Sequence, residues 1–175
     1  MFIGAAVWFL LATLARAGDS GLLGIGHTAT PAEIAGWDID VRADGRGLPP
    51  GRGSVRDGEK IFAETCAACH GAKGEGKPAD RLVGGFGTLA TSKPVRTVGS
   101  YWPYATTLFD YIRRAMPFNA PQSLTADQIY AVSAYILYLN NIVTEATVLD
   151  ATSLPRVRMP NRNGFTSPDP RPDVP

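Results

Sequence analysis

Apolar positions recur at helical spacing in three stretches of this chain, and no stretch alternates convincingly as a strand would. The best specified helix starts at Thr125. Gln128 three positions on completes a capping box, and Leu124 and Ile129 form a hydrophobic staple. Ile129, Val132, Ile136 and Leu139 then make one stripe, which Asn140 and Asn141 end. A second helix is expected over residues 105–115, with Leu108 and Ile112 at helical spacing and Phe109 beside them. A first helix is expected to open at Ser54, with Asp57 as its capping partner, and to run through Ile61 and Phe62 toward Cys66. Gly58 falls inside it, where glycine is costly unless another backbone must come close. The prediction is an all-α domain over residues 54–141.

The flanks read differently. Residues 18–53 form an arm with little periodicity and many turn formers (Gly45, Gly47, Pro49, Pro50, Gly51, Gly53), expected to run over a surface. Residues 142–175 form a second arm whose proline-rich end is expected to be extended. Residues 2–14 are an apolar run followed by Ala15-Arg16-Ala17, which fits a secretory signal peptide over 1–17 and a mature start near Gly18. No Lys or Arg precedes the run, so an uncleaved anchor is the alternative, although the run is short for a bilayer span. No stable membrane span is expected, and export points to the periplasm. Formal net charge is +1, and loss of Arg16 with the leader balances acid and base. That balance gives no footing for nucleic-acid binding.

The chemistry lies in Cys66-Ala67-Ala68-Cys69-His70, a C-x-x-C-H signature of covalent c-type haem attachment. Two thiols three positions apart on a helical turn can both reach the vinyl groups along one porphyrin edge. The following imidazole can then serve as proximal ligand. The chain has only two cysteines, both in this motif, which allows one covalent haem c and leaves none for a structural disulfide. A thioredoxin-like dithiol would want a βαβ context, and a zinc site would need a further ligand although the only other histidine, His27, is far away in sequence.

The iron needs a second axial ligand or an open position. A thioether suits low-spin iron and raises its potential by favouring the ferrous state. Apart from Met1, the candidates are Met116 and Met159, each followed by proline. Met116 sits directly before the capped third helix and is the choice. Met159 would require the second arm to fold back over the haem, and His27 or an open site are the remaining options.

Cys66-Ala67-Ala68-Cys69-His70-Gly71, the glycine-rich loop after it, Met116-Pro117 and the capped terminal helix together resemble class I cytochrome c. The resemblance implies that fold, here with extended amino- and carboxy-terminal arms. It also implies that the first and last helices cross closely, with Gly58 and Phe62 near Ala134 and Tyr135, and that Pro78 offers its carbonyl to the second ring nitrogen of His70. A narrower resemblance rests on Trp37-Asp38-Ile39-Asp40-Val41, on Thr97-Val98-Gly99-Ser100-Tyr101-Trp102-Pro103-Tyr104, on Asp110-Tyr111-Ile112-Arg113-Arg114-Ala115-Met116-Pro117 and on Met159-Pro160-Asn161-Arg162. These strings are similar to the cytochrome subunits of bacterial sulfite and sulfane dehydrogenases. That likeness implies a molybdenum-cofactor partner subunit as electron donor and a soluble cytochrome c as acceptor. Some sulfane dehydrogenase cytochromes are dihaem, whereas this chain holds one motif, so it resembles the sulfite type or a shortened sulfane type.

Other residues have narrower readings. Tyr101, Trp102 and Tyr104 either line the haem pocket or are ordinary aromatic core. Arg113 and Arg114 either pair with a haem propionate or an acidic partner, or form a solvated helix face. Arg156, Arg158 and Arg162 could touch a partner, while His27 has no assigned role. Three function classes follow: an electron-transfer subunit with no catalytic centre of its own, a freestanding carrier, and an enzyme or gas sensor at an open haem position. With no third cysteine, thiol-based sulfur chemistry is not expected in this chain.

Overall fold

The computed structural model describes residues 26–166, so the apolar leader and the proline-rich end lie outside the described residues. The chain divides into two units, residues 1–38 and 39–175. The first contains helix α1 (Pro31–Trp37) in a segment expected to lack regular structure. Thr30 caps it, the Glu33 side chain returns to the cap N–H, and Pro31 opens the helix where a missing donor costs nothing. At seven residues the helix is too short to display an apolar period, and none of its residues is buried.

The second unit runs β1 (Arg52–Ser54), α2 (Val55–Thr65), α3 (Ala67–His70), α4 (Ala105–Ala115), α5 (Ala126–Leu139) and β2 (Val148–Asp150), followed by a 3-10 turn at Leu154–Arg156. Helices dominate, in keeping with a class I cytochrome c architecture. The expectation of no strands needs correction. β1 and β2 pair antiparallel, with Gly53 opposite Leu149, and so clip the two arms together in front of α2. Three-residue strands cannot display alternation, and their pairing joins segments almost a hundred positions apart.

α5 is the central element. Every residue from Ile129 through Leu137 is buried, so the single stripe read from the sequence widens to the whole circumference. Its capping box forms as expected between Thr125 and Gln128. α2 crosses it so closely that a Cβ at Gly58 would lie 1.9 Å from the Ala131 carbonyl oxygen and 2.8 Å from the Tyr135 Cβ. Phe62, one turn on, packs its ring 5.4 Å from that of Tyr135. The close neighbour of Gly58 is thus Ala131, one helical turn before the expected Ala134. The core continues through Leu108, Phe109 and Ile112 of α4 and takes in Leu149, Leu154 and Met159 from the second arm.

Asn140 fastens the end of α5. Its buried amide donates to the carbonyls of Leu82 (3.1 Å) and Ile136 (2.9 Å) and accepts from the Gly84 N–H (3.2 Å). The long loop after α3 is thereby tied to the helix that carries the core. No helix among the described residues is long and apolar enough to cross a membrane.

Candidate functional site

α2 stops at Thr65, and Cys66 (φ −117°, ψ −36°) turns the chain into the single-turn α3. The Cys66 carbonyl accepts from the N–H groups of both Cys69 (3.1 Å) and His70 (3.0 Å), which wraps the two thiols and the imidazole onto one turn. Gly71 leaves that turn at φ +83°, a conformation that strains other residues. Cys66 is half-buried and Cys69 exposed, and no disulfide joins them. Burial pushes the Cys66 thiol above its ordinary value, against a weaker opposing hydrogen bond with Thr65. A reactive redox cysteine would be held as thiolate instead. Zinc lacks its ligands as well: no group of three or more His, Cys, Asp or Glu side chains among the described residues could hold a metal ion.

The ring of His70 is oriented from behind. Its Nδ1 lies 2.7 Å from the Asp80 carbonyl oxygen. A carbonyl can only accept, so Nδ1 carries the proton and Nε2 keeps a lone pair for a metal. The acceptor is therefore Asp80, two positions beyond the expected Pro78. The Ala79 N–H bonds back to the Cys69 carbonyl (2.9 Å), and the Gly76 N–H bonds to the His70 carbonyl (2.7 Å). These bonds fold the loop under α3 and bring the Asp80 carbonyl, rather than that of Pro78, to the ring.

Met116 caps α4 in an extended conformation, as a residue before proline is pushed to do, while its N–H still bonds the Ile112 carbonyl (3.1 Å). It is half-buried at the margin of the core, as are Cys66, Ala67, Leu82 and Trp102. Met159 is 3% exposed and enclosed by the core, leaving no free face for a porphyrin. His27 is exposed, with Nε2 3.2 Å from a Glu33 carboxylate oxygen.

A cytochrome c family profile matches residues 55–140 of the chain. Over 85% of its length the chain superposes on 73% of a chain from the sulfane dehydrogenase SoxCD of Paracoccus pantotrophus, at 46% identity and a TM-score of 0.79. The chain belongs to the cytochrome c family. A thiosulfate dehydrogenase of Psychrobacter arcticus is 31% identical over 83 residues, which is 47% of this chain; the chain spans only 25% of that protein's length. With a single C-x-x-C-H, this cytochrome carries one covalent haem c. The donor set fits that group: two thiols on one turn, an imidazole with Nε2 free, and a half-buried thioether on a separate element.

Around the site the structure reassigns the arginines. Arg113 Nη1 donates to the Ile39 carbonyl (3.1 Å). Arg114 Nε donates to Asp110 (3.0 Å), one turn earlier on α4, and Arg114 also pairs with Asp40. Asp110 additionally accepts the Val41 N–H at 2.9 Å. Neither reading of these arginines survives whole, because both hold residues 39–41 against the helix that ends in Met116. The aromatic stretch has a similar task. Arg162 stacks 4.6 Å from the Tyr104 ring centre, Asn161 donates to the Tyr101 carbonyl (2.6 Å), and Phe165 meets Tyr101 edge-on at 5.2 Å. The second arm is thus laid over this stretch. Only Asp110, opposite Arg114 at helical spacing, was visible in the sequence as a partner.

Proposed function

We propose that this cytochrome is the one-electron relay of a sulfur-oxidising dehydrogenase in the periplasm. It accepts electrons from a molybdenum-cofactor subunit that oxidises sulfane sulfur, and passes them to a soluble cytochrome c. The observation that carries this reading is the 46% identity to a SoxCD chain across 85% of this one, far more than the haem domain alone. In this reading residues 54–141 are the haem domain, 18–53 and 142–175 are the arms that precede and follow it in sequence, and 1–17 is an export leader.

Cys66 and Cys69 would hold the porphyrin through thioether bonds, and His70 and Met116 would hold its iron. When bound, the haem supplies a one-electron ferric/ferrous couple whose potential a thioether ligand raises. The Asp80 carbonyl fixes the tautomer and direction of His70, and the Pro117 ring ends α4 so that Met116 leaves it extended. Because sulfur oxidation releases electrons in pairs, the partner must deliver them one at a time.

The test is reduction of the purified cytochrome, followed by its visible absorption, in the presence of the molybdenum-cofactor subunit. Reduction that depends on a sulfane-sulfur substrate supports the proposal; dependence on sulfite alone reassigns the substrate. If only unrelated donors reduce it, the protein is a freestanding carrier.

A further inference from the structure

α1 is built by local bonds, and none of its residues is buried. Isolated helices this short are marginal in water, yet α1 has a complete capping box and proline at its first position. His27 adds a contact to Glu33 from outside the helix. On one side Ile34 and Trp37, three positions apart, line a groove with Ala29, flanked by Glu33 and Asp38. Trp37 is 85% exposed, the most exposed of the large apolar side chains among the described residues. Local bonds thus hold a preformed apolar face with an acidic rim, an arrangement that lowers the ordering cost of binding.

The likeness to SoxCD reaches this helix. Residues 39–175 are 137 of 175, or 78% of the chain, whereas the match covers 85%. The match must therefore extend into the segment before Ile39, where α1 is the described element. Resting on the function proposed above, we infer that α1 is a docking helix for the molybdenum-cofactor subunit. Trp37 and Ile34 enter an apolar pocket on that subunit, and Glu33 and Asp38 meet a basic rim. Glu33 is suited to this, since hydrogen bonds from Thr30 hold its carboxyl below the usual carboxylate range and keep it charged. Helix-in-groove recognition through residues i and i+3, anchored by tryptophan, is an established mode.

The test uses the full haem-loaded protein and the molybdenum-cofactor subunit purified from the same organism, with binding measured by calorimetry. Trp37→Ala weakens binding by roughly 30-fold or more, the loss typical of a central tryptophan anchor, whereas Trp37→Phe retains most of it. The haem spectrum and thermal stability stay unchanged in both, because α1 buries none of its residues. Equal binding by wild type and Trp37→Ala overturns the inference while leaving the proposed function standing. A wild type that does not bind the subunit overturns both. If Trp37→Ala spares subunit binding but abolishes self-association or binding to phosphatidylglycerol vesicles, the helix serves a second copy or a lipid surface, and the inference is overturned.

Discussion

Gly58→Ala is the sharpest test of how this fold is held together. In an exposed helix the change stabilises by about 0.5–1 kcal/mol, because alanine loses less backbone entropy. Here the new methyl would lie 1.9 Å from the Ala131 carbonyl oxygen, which is backbone and cannot swing aside. Ordinary contact begins at 3.4 Å, so α2 and α5 must part locally by 3.4 − 1.9 = 1.5 Å. That movement loosens Phe62 from Tyr135 and strains the Gly53 crossing, where a Cβ would lie 2.2 Å from the Ala131 nitrogen. Overpacking of this kind costs about 3 kcal/mol or somewhat more. The net loss is therefore about 2 kcal/mol, a fall in Tm of roughly 4–8 °C for a chain of this size. Thermal unfolding of the haem-loaded protein, followed by far-ultraviolet circular dichroism, measures it. Gly36→Ala in α1 is the control, since no atom lies within 4 Å of its added methyl, and it leaves Tm unchanged or slightly raised. A Gly58→Ala protein as stable as wild type would refute the close crossing.

Under the proposed ligand set, Met116→Ala removes the thioether ligation and lowers the potential. Met159→Ala keeps the ligand spectrum but destabilises by about 2–5 kcal/mol as a core truncation; the opposite pattern in absorption and voltammetry would reverse the two assignments. Tyr130 is fully buried, donates to the Pro49 carbonyl at 2.9 Å, and has its phenol pushed up from 10.0 to about 12, chiefly by burial. The unfolded chain ionises first, so this contribution is present below pH 10 and is lost as pH rises toward 12. It amounts to up to about 3 kcal/mol, and Tyr130→Phe flattens that part of the denaturant-midpoint profile. Asp110→Ala frees residues 39–41 at a cost of roughly 1 kcal/mol. Hydrogen exchange at the Val41 amide rises well beyond any change in α5, and uniform protection would count against the tether.

Some of this architecture is written locally. Thr125 with Gln128, Ser54 with Asp57, and the run from Leu108 to Ile112 mark helix ends and faces because capping and helical period act within a few residues. The haem motif is legible for the same reason, since its two thiols and imidazole share one turn. α1 had a readable cap in Thr30, Pro31 and Glu33 but no periodic face to draw attention to it. The β1–β2 pair, the Asp80 carbonyl behind His70 and the Asp110–Arg114–Asp40 tether bring together parts of the chain whose local signals say nothing of one another.

By itself, then, the sequence determined helices α2, α4 and α5, the covalent haem motif and, in the methionine directly before the capped last helix, a candidate second ligand, because each depends on chemistry between near neighbours. Tertiary structure alone decided that Gly58 meets Ala131, that the arginines beside Met116 hold down an arm, and that Met159 belongs to the core while Met116 stands at its margin. Those outcomes depend on which surfaces collapse against one another. Burial and steric fit are properties of the assembled molecule, and no short window of the chain contains them.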